Sequence, residues 1–221
     1  MDLLEIMRQR RSVRSYTSAN VSEENIKKIL EAGLLSASGR AIRPWELIVV
    51  KNKDTLQKMA DSRDHGAKML EGADAAVVVI ADGTKTDVWT EDCSIVMANM
   101  HLMASSLGVG SCWIQGRLRT SADACSTEEY LRKLLGFPEP YRLEAMLSLG
   151  MPEGGMAPRE VADVLWEKVH RETYKRYVWS DRVPWGCGQR YTHVPDLCRV
   201  LRSGECSRRT KGYGRRDHSG K

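Results

Sequence analysis

Ala75-Ala76-Val77-Val78-Val79-Ile80-Ala81 is a continuous apolar run of strand length, the pattern of a strand buried on both faces. A helix follows from Asp87 to Leu107, where Ile95, Val96, Asn99, Leu102 and Met103 recur at helical spacing; Gly108-Val109-Gly110 stops it. That helix is apolar almost all round, which predicts a central position or a subunit interface. Outward from this pair, Ser111–Ile114, Glu144–Leu149 and Trp45–Val50 read as further strands. Ser22-Glu23-Glu24-Asn25 opens a helix with Ser22 as N-cap and Ile26, Ile29, Leu30 and Leu34 on one face. Shorter helical patterns lie over Leu3–Met7, from Lys53 to about Ser62, over Lys68–Gly72 and over Thr127–Leu135, and a final helix is predicted from Arg159 to about Tyr174. Strands alternating with helices predict an α/β or α+β class.

The 221 residues suffice for one domain with a real core. One Phe against ten Met makes that core aliphatic and thioether-rich. No apolar run is long enough to span a bilayer, and Met1-Asp2-Leu3-Leu4-Glu5 lacks the basic-then-apolar pattern of a secretory signal, so a cytoplasmic protein is expected. The six cysteines form no CxxC pair and read as free thiols. The net charge of +5 is unevenly spread: residues 1–174 carry a net −3 and residues 175–221 a net +8. A basic footprint for nucleic acid is therefore missing from the body. Residues 175–221 read as a basic, poorly ordered extension. A nucleic-acid or membrane-surface arm, a metal site at Cys187, His193, Cys198 and Cys206, and out-of-frame translation beyond about Tyr174 are the other readings of this tail.

Four segments carry chemistry. Arg10-Arg11-Ser12-Val13-Arg14 concentrates guanidinium groups that bind phosphate through a planar fork. Ser38-Gly39-Arg40-Ala41-Ile42-Arg43-Pro44-Trp45 is a loop leading into a strand, with a glycine that permits close approach. Gly110-Ser111-Cys112-Trp113-Ile114-Gln115-Gly116 is a strand ending in a glycine, where main-chain N–H groups are free to meet a ligand. Leu149-Gly150-Met151-Pro152 closes a strand ahead of Pro158-Arg159.

In this order and spacing, from Leu3 to Tyr174, the segments resemble the FMN-dependent nitroreductase family. The resemblance implies an α+β fold with a mixed sheet flanked by helices, in an intertwined homodimer with FMN at the subunit interface. It implies ping-pong transfer of a hydride from NAD(P)H through FMN to a small acceptor such as a nitroaromatic or quinone. Carried onto this sequence, Arg10, Ser12 and Arg14 hold the FMN phosphate and ribityl chain, Arg11 lies adjacent and Arg159 adds a second phosphate contact. Ala37, Ser38 and Gly39 fall where the partner subunit touches the flavin, and Ile114, Gln115 and Gly116 fall where main-chain N–H groups reach flavin N5 and O4. The hydride chemistry belongs to the cofactor, so no catalytic acid or base and no metal ligand is assigned.

Ala41 and Arg43 stand where many family members carry Asn and Gln, which adds positive charge near the flavin edge. His65 falls near a position that contacts flavin in some members. Simpler roles compete for other residues: Cys112 as a small buried strand residue, Trp89 and Trp113 as packing, Asp92 as a helix N-terminal charge and His101 as a packed or surface residue. Two rival functions are an FMN carrier or sensor without nicotinamide turnover, and a non-flavin nucleic-acid-binding protein using the basic tail.

Overall fold

A computed structural model of the protein describes residues 2–122, 125–170 and 172–174. The elements are α1 (Leu3–Gln9), α2 (Glu23–Leu34), β1 (Trp45–Val50), α3 (Lys53–Ala60), α4 (Met69–Gly72), β2 (Ala75–Asp82), α5 (Trp89–Ser106), β3 (Gly110–Gln115), α6 (Thr127–Leu135) and β4 (Tyr141–Gly150). The chain divides after Val164 into two units. Of the second, the described residues form a single 3₁₀ turn, Trp166–Lys168. The tail readings for residues 175–221, including the proposed cysteine and histidine ligands, lie outside the described residues.

The sheet runs β1-β2-β4-β3. Its three strand pairings are all antiparallel, and the parallel component is an isolated bridge between Ser12 and Ser111 on the outer edge of β3. The fold is α+β, as expected. Every residue of β2 from Ala75 to Ala81 is buried, which is why the run has no polar alternation. Ala75, Val77 and Val79 face the core beneath α2 and α5. Ala76, Val78 and Ile80 face a second core under α3, α4 and α6. The pleat thus sorts successive side chains into two layers.

Local chemistry sets the helix ends. The Ser22 side chain accepts from the Asn25 N–H at 3.2 Å, capping α2 as predicted. The cap of α6 is Ser126, immediately ahead of the predicted Thr127–Leu135 pattern, in a reciprocal box with Glu129. Helix α5 ends where Gly108 turns left-handed at φ 71°; Gly108 N–H donates to Ser105 O and Val109 N–H to Ala104 O.

One expectation fails. Among the described residues of 159–174 there is no α-helix, but 3₁₀ turns at Val161–Asp163 and Trp166–Lys168. Val164, Leu165 and Trp166 remain between 44% and 49% exposed. A short helix draws most of its stability from burying apolar side chains, and these three are not buried.

A bulge in the β2–β4 ladder positions a residue of the site. The register moves from Val79 opposite Ala145 to Ile80 opposite Leu143, leaving Glu144 as the extra residue.

Candidate functional site

Strand β3 lies at the edge of the sheet, so its outer main-chain groups need other partners. The Gly116 N–H donates to Glu144 O at 3.1 Å, which sets the phase of the ladder. By antiparallel alternation Ile114 then faces β4, while Ser111, Trp113 and Gln115 present their N–H and C=O outward. At Ser111 the N-terminal segment takes up this edge: Val13 N–H donates to Ser111 O at 2.9 Å. The segment then peels away, with Tyr16 bridged to Pro152. Trp113 and Gln115 keep outward main-chain groups with no main-chain partner among the described residues.

Two paired glycines allow the N-terminal segment to lie so close. A Cβ on Gly110 would come within 2.9 Å of Val13 Cγ1, and one on Gly150 within 2.6 Å of the Tyr16 ring. The Tyr16 hydroxyl donates to Val13 O and hydrogen-bonds Ser148 Oγ, both at 2.8 Å.

This docking gathers arginines. Arg10 caps α1, its N–H bonded to Ile6 O at 2.8 Å, and its side chain turns to α5. There Arg10 Nη1 donates to His101 Nε2 at 2.7 Å, and His101 Nδ1 lies 2.6 Å from Ser111 Oγ. A guanidinium can only donate, so Nε2 is the acceptor and the imidazole proton sits on Nδ1, facing Ser111. Burial, reinforced by the Arg10 charge, pushes His101 down to about 4. The C-terminal side reaches the same place, with Arg159 N–H donating to Arg8 O at 2.9 Å. Burial, then Arg159 and Arg11, hold Arg10 below the usual arginine value. Arg14 is exposed and donates to Ser12 O at 3.2 Å. Arg11 borders a cavity of about 400 Å³ shared with Gly108, Gly110, Ser111 and Gly154. Among the described residues no carboxylate pairs with Arg10, Arg11, Arg14 or Arg159. Uncompensated guanidinium groups converging on one end of a strand favour an anion.

The other end of β3 differs. Ile114 is buried, and Gly116 admits no side chain, since a Cβ would meet Leu143 Cδ2 at 2.5 Å. Of the three main-chain donors expected there, Gly116's is engaged by Glu144 O; Gln115's faces outward. The Gln115 side chain is held between Trp113 Nε1, which donates to it at 2.9 Å, and Glu144, whose O and Oε1 accept from Nε2 at 3.2 and 3.3 Å. Glu144 Oε2 is buried with no hydrogen-bond partner among the described residues, and burial raises this carboxyl above its usual range. Asp92 is likewise buried; its Oδ1 accepts from Gly39 N–H at 2.8 Å and its Oδ2 has no partner among the described residues. Burial, then Glu144 and Asp92, push the Cys93 thiol up to about 12, and burial also raises Cys112, so both remain protonated thiols.

The loop ahead of β1 is wound tightly. Arg40, Ala41 and Arg43 have φ of 54°, 55° and 50°, the left-handed region that side chains rarely occupy. Ser38 Oγ accepts from Arg43 N–H at 3.0 Å, and Ala37 is exposed.

The structure thus brings Arg10, Arg11, Ser12, Arg14 and Arg159 to one end of β3 and sets Ile114, Gln115 and Gly116 at the other. Gly39 is joined to α5 through Asp92; His65 is exposed, with its ring 3.6 Å from Asp64. The sequence reading assigns no role to Glu144 and leaves His101 as a packed or surface residue; the structure shows His101 buried. Their signals were a carboxylate inside Leu143–Leu149, a run whose other residues are apolar except Ser148, and a histidine on the buried side of α5.

The chain matches known proteins over most of its described length. The family model of the Nitroreductase family matches residues 7–67 and 62–151. An FMN-dependent nitroreductase from Clostridium difficile is 37% identical, with a TM-score of 0.76 over 77% of this chain and 99% of that one. A protein of Archaeoglobus fulgidus named “Putative NADH dehydrogenase/NAD(P)H nitroreductase” is 35% identical over 78% of this chain and 99% of its own. A Desulfovibrio desulfuricans protein described as a “putative nitroreductase in complex with fmn” is 26% identical, with a TM-score of 0.60 over 77% of this chain and 98% of that one.

Proposed function

Because the chain belongs to the nitroreductase family of oxidoreductases, we propose that it is an NAD(P)H-dependent FMN enzyme that reduces a small acceptor such as a nitroaromatic or quinone. The observation that carries this reading is the set of arginines that, among the described residues, have no carboxylate partner at the Ser111 end of an open strand edge.

Arg10, Ser12, Arg14 and Arg159 bind the FMN phosphate and ribityl chain, with Arg11 adjacent; a phosphate monoester carries nearly two negative charges and needs convergent cations. Ile114, Gln115 and Gly116 line the ring edge. The outward N–H of Gln115 is the donor best placed to meet it, because the other two face β4. Bound FMN would supply acceptance of a hydride and its onward transfer, in a ping-pong cycle. The residues of this chain contribute orientation and charge. A main-chain donor fixed by the sheet stabilises negative charge developing on the ring without reorganising.

Residues 1–174 form the FMN-binding domain in this reading and residues 175–221 an extension to it. Two chains form a homodimer in which Ala37, Ser38 and Gly39 approach the partner's flavin. Exposed Leu3, Leu4 and Met7 on α1 and Leu34 and Leu35 at the end of α2 support such an interface, since apolar side chains exposed together mark contact surfaces. Among the described residues no helix is long and apolar enough to cross a membrane, and a cytoplasmic location follows from the same reading. Arg43 adds positive charge to the loop that approaches the flavin, which favours an anionic acceptor.

The test is reconstitution: purified protein incubated with excess FMN and desalted. One FMN per chain supports the reading. A colourless protein, also in a form ending at Tyr174, would contradict it.

A further inference from the structure

We propose that His101 is a positioning residue for the cofactor phosphate, fixing the Arg10 guanidinium from behind while leaving its charge intact. The inference rests on the reading that Arg10 meets the FMN phosphate.

The geometry is a buried three-membered chain. Ser111 Oγ lies 2.6 Å from His101 Nδ1, and His101 Nε2 accepts from Arg10 Nη1 at 2.7 Å. His101 and Ser111 are 7% and 2% exposed, so neither bond competes with bulk water. The main chain of Ser111 also receives the Val13 N–H at 2.9 Å. One residue of β3 therefore registers both the main chain of the Arg10–Arg14 segment and, through His101, the side chain that begins it.

A histidine in this place has a consequence that a carboxylate would not. Arginines in protein interiors are usually held by Asp or Glu, which cancel the charge they orient. A neutral imidazole accepts one hydrogen bond and adds no charge. Four of the five guanidinium N–H donors and the full positive charge stay available to an anion. Burial beside the guanidinium keeps the ring neutral near pH 7. The long side chain loses its rotamer freedom during folding rather than at the moment of binding, and such preorganisation raises affinity.

A double-mutant cycle on the full chain tests this, with the FMN dissociation constant read by fluorescence titration and folding checked by circular dichroism. Arg10→Ala is expected to raise the constant about tenfold or more, the loss of a charge-assisted bond. His101→Leu should raise it about threefold to tenfold, and the double variant should bind within about twofold of Arg10→Ala alone, because coupled residues are not additive. His101→Gln, whose amide oxygen can accept from Arg10, should restore most of the affinity. His101→Glu should bind FMN more weakly than His101→Gln, because it orients Arg10 but neutralises it. Wild-type affinity in His101→Leu, or effects that multiply in the double variant, would overturn the proposal. If His101→Leu does not fold, equal affinity of the Gln and Glu variants would overturn it. An unchanged constant in Arg10→Ala would instead overturn the assignment of Arg10 to the phosphate, and the proposal with it.

Discussion

At the Ser111 end of β3, arginines gather with no carboxylate beside them among the described residues. At the Gln115 end, about 13 Å along at strand spacing, two buried carboxylates, Asp92 and Glu144, each leave one oxygen without a partner among the described residues. The first end can attract a formal charge through side chains. The second offers the main-chain N–H of Gln115, held by the sheet while the Gln115 side chain is tied to Glu144. Side chains answer the fixed charge of a phosphate, and a rigid peptide dipole answers charge that appears only during reaction. One strand therefore presents two electrostatic environments suited to the two ends of a phosphate-bearing cofactor.

The contrast is sharpest in binding. Arg10→Ala combined with Arg14→Ala is expected to weaken FMN binding more than about 100-fold, since two charge-assisted contacts are removed at roughly 1.5–3 kcal/mol each. Fluorescence titration reads this directly. Affinity within a few-fold of wild type would break the distinction between the ends.

The arginine end also depends on close packing. Gly150→Ala places a Cβ 2.6 Å from a Tyr16 ring whose main chain is bridged to Pro152. A cost of about 1–3 kcal/mol follows, visible as a lowered melting temperature. Gly154→Ala, with no atom within 4 Å of the new Cβ, is the control and should change little. Equal melting temperatures for the two variants would show that the N-terminal segment is not locked to the sheet.

The two ends should respond oppositely to pH. His101 is held at about 4 against an ordinary 6.5, so between those values the unfolded chain binds a proton that the folded chain does not. Stability is lost as pH falls from 6.5 to about 4. Glu144 is raised above 4.5, so the folded chain retains a proton that the unfolded chain has released, and stability is lost as pH rises above 4.5. In urea denaturation across pH, His101→Gln should flatten the acid side, and Glu144→Gln should gain stability toward neutral pH but not below 4.5. Parallel curves for wild type and both variants would contradict this.

The smallest effect belongs to the loop. Ala41, at φ 55°, sits in a conformation costing about 1–2 kcal/mol for a residue with a Cβ. Ala41→Gly relieves that strain but adds about 0.5–1 kcal/mol of chain entropy. The expected result is a gain of at most about 1.5 kcal/mol in the same urea experiment, and a loss would show that the loop is unstrained.

What the sequence made legible follows how local each signal is. The apolar run of β2, the glycine stop after α5 and the Ser22 cap all act within a few residues, and all are present. The arginine end was readable because Arg10, Arg11 and Arg14 are close in the chain. The opposite end is assembled from residues 39, 92, 115 and 144, and Glu144 reaches it through a bulge that strand periodicity does not reveal. The helix expected over Arg159–Tyr174 shows the converse: a local pattern reads as a helix, while the described residues there form 3₁₀ turns with Val164, Leu165 and Trp166 exposed.

The most direct test of the central claim is an anaerobic absorbance titration of the FMN-reconstituted protein with NADH and, separately, NADPH. Stoichiometric bleaching of the flavin band by at least one nicotinamide, with colour restored by a nitroaromatic or quinone, is the predicted result. A flavin band that neither nucleotide bleaches would contradict the enzyme reading and leave a protein that carries or senses FMN.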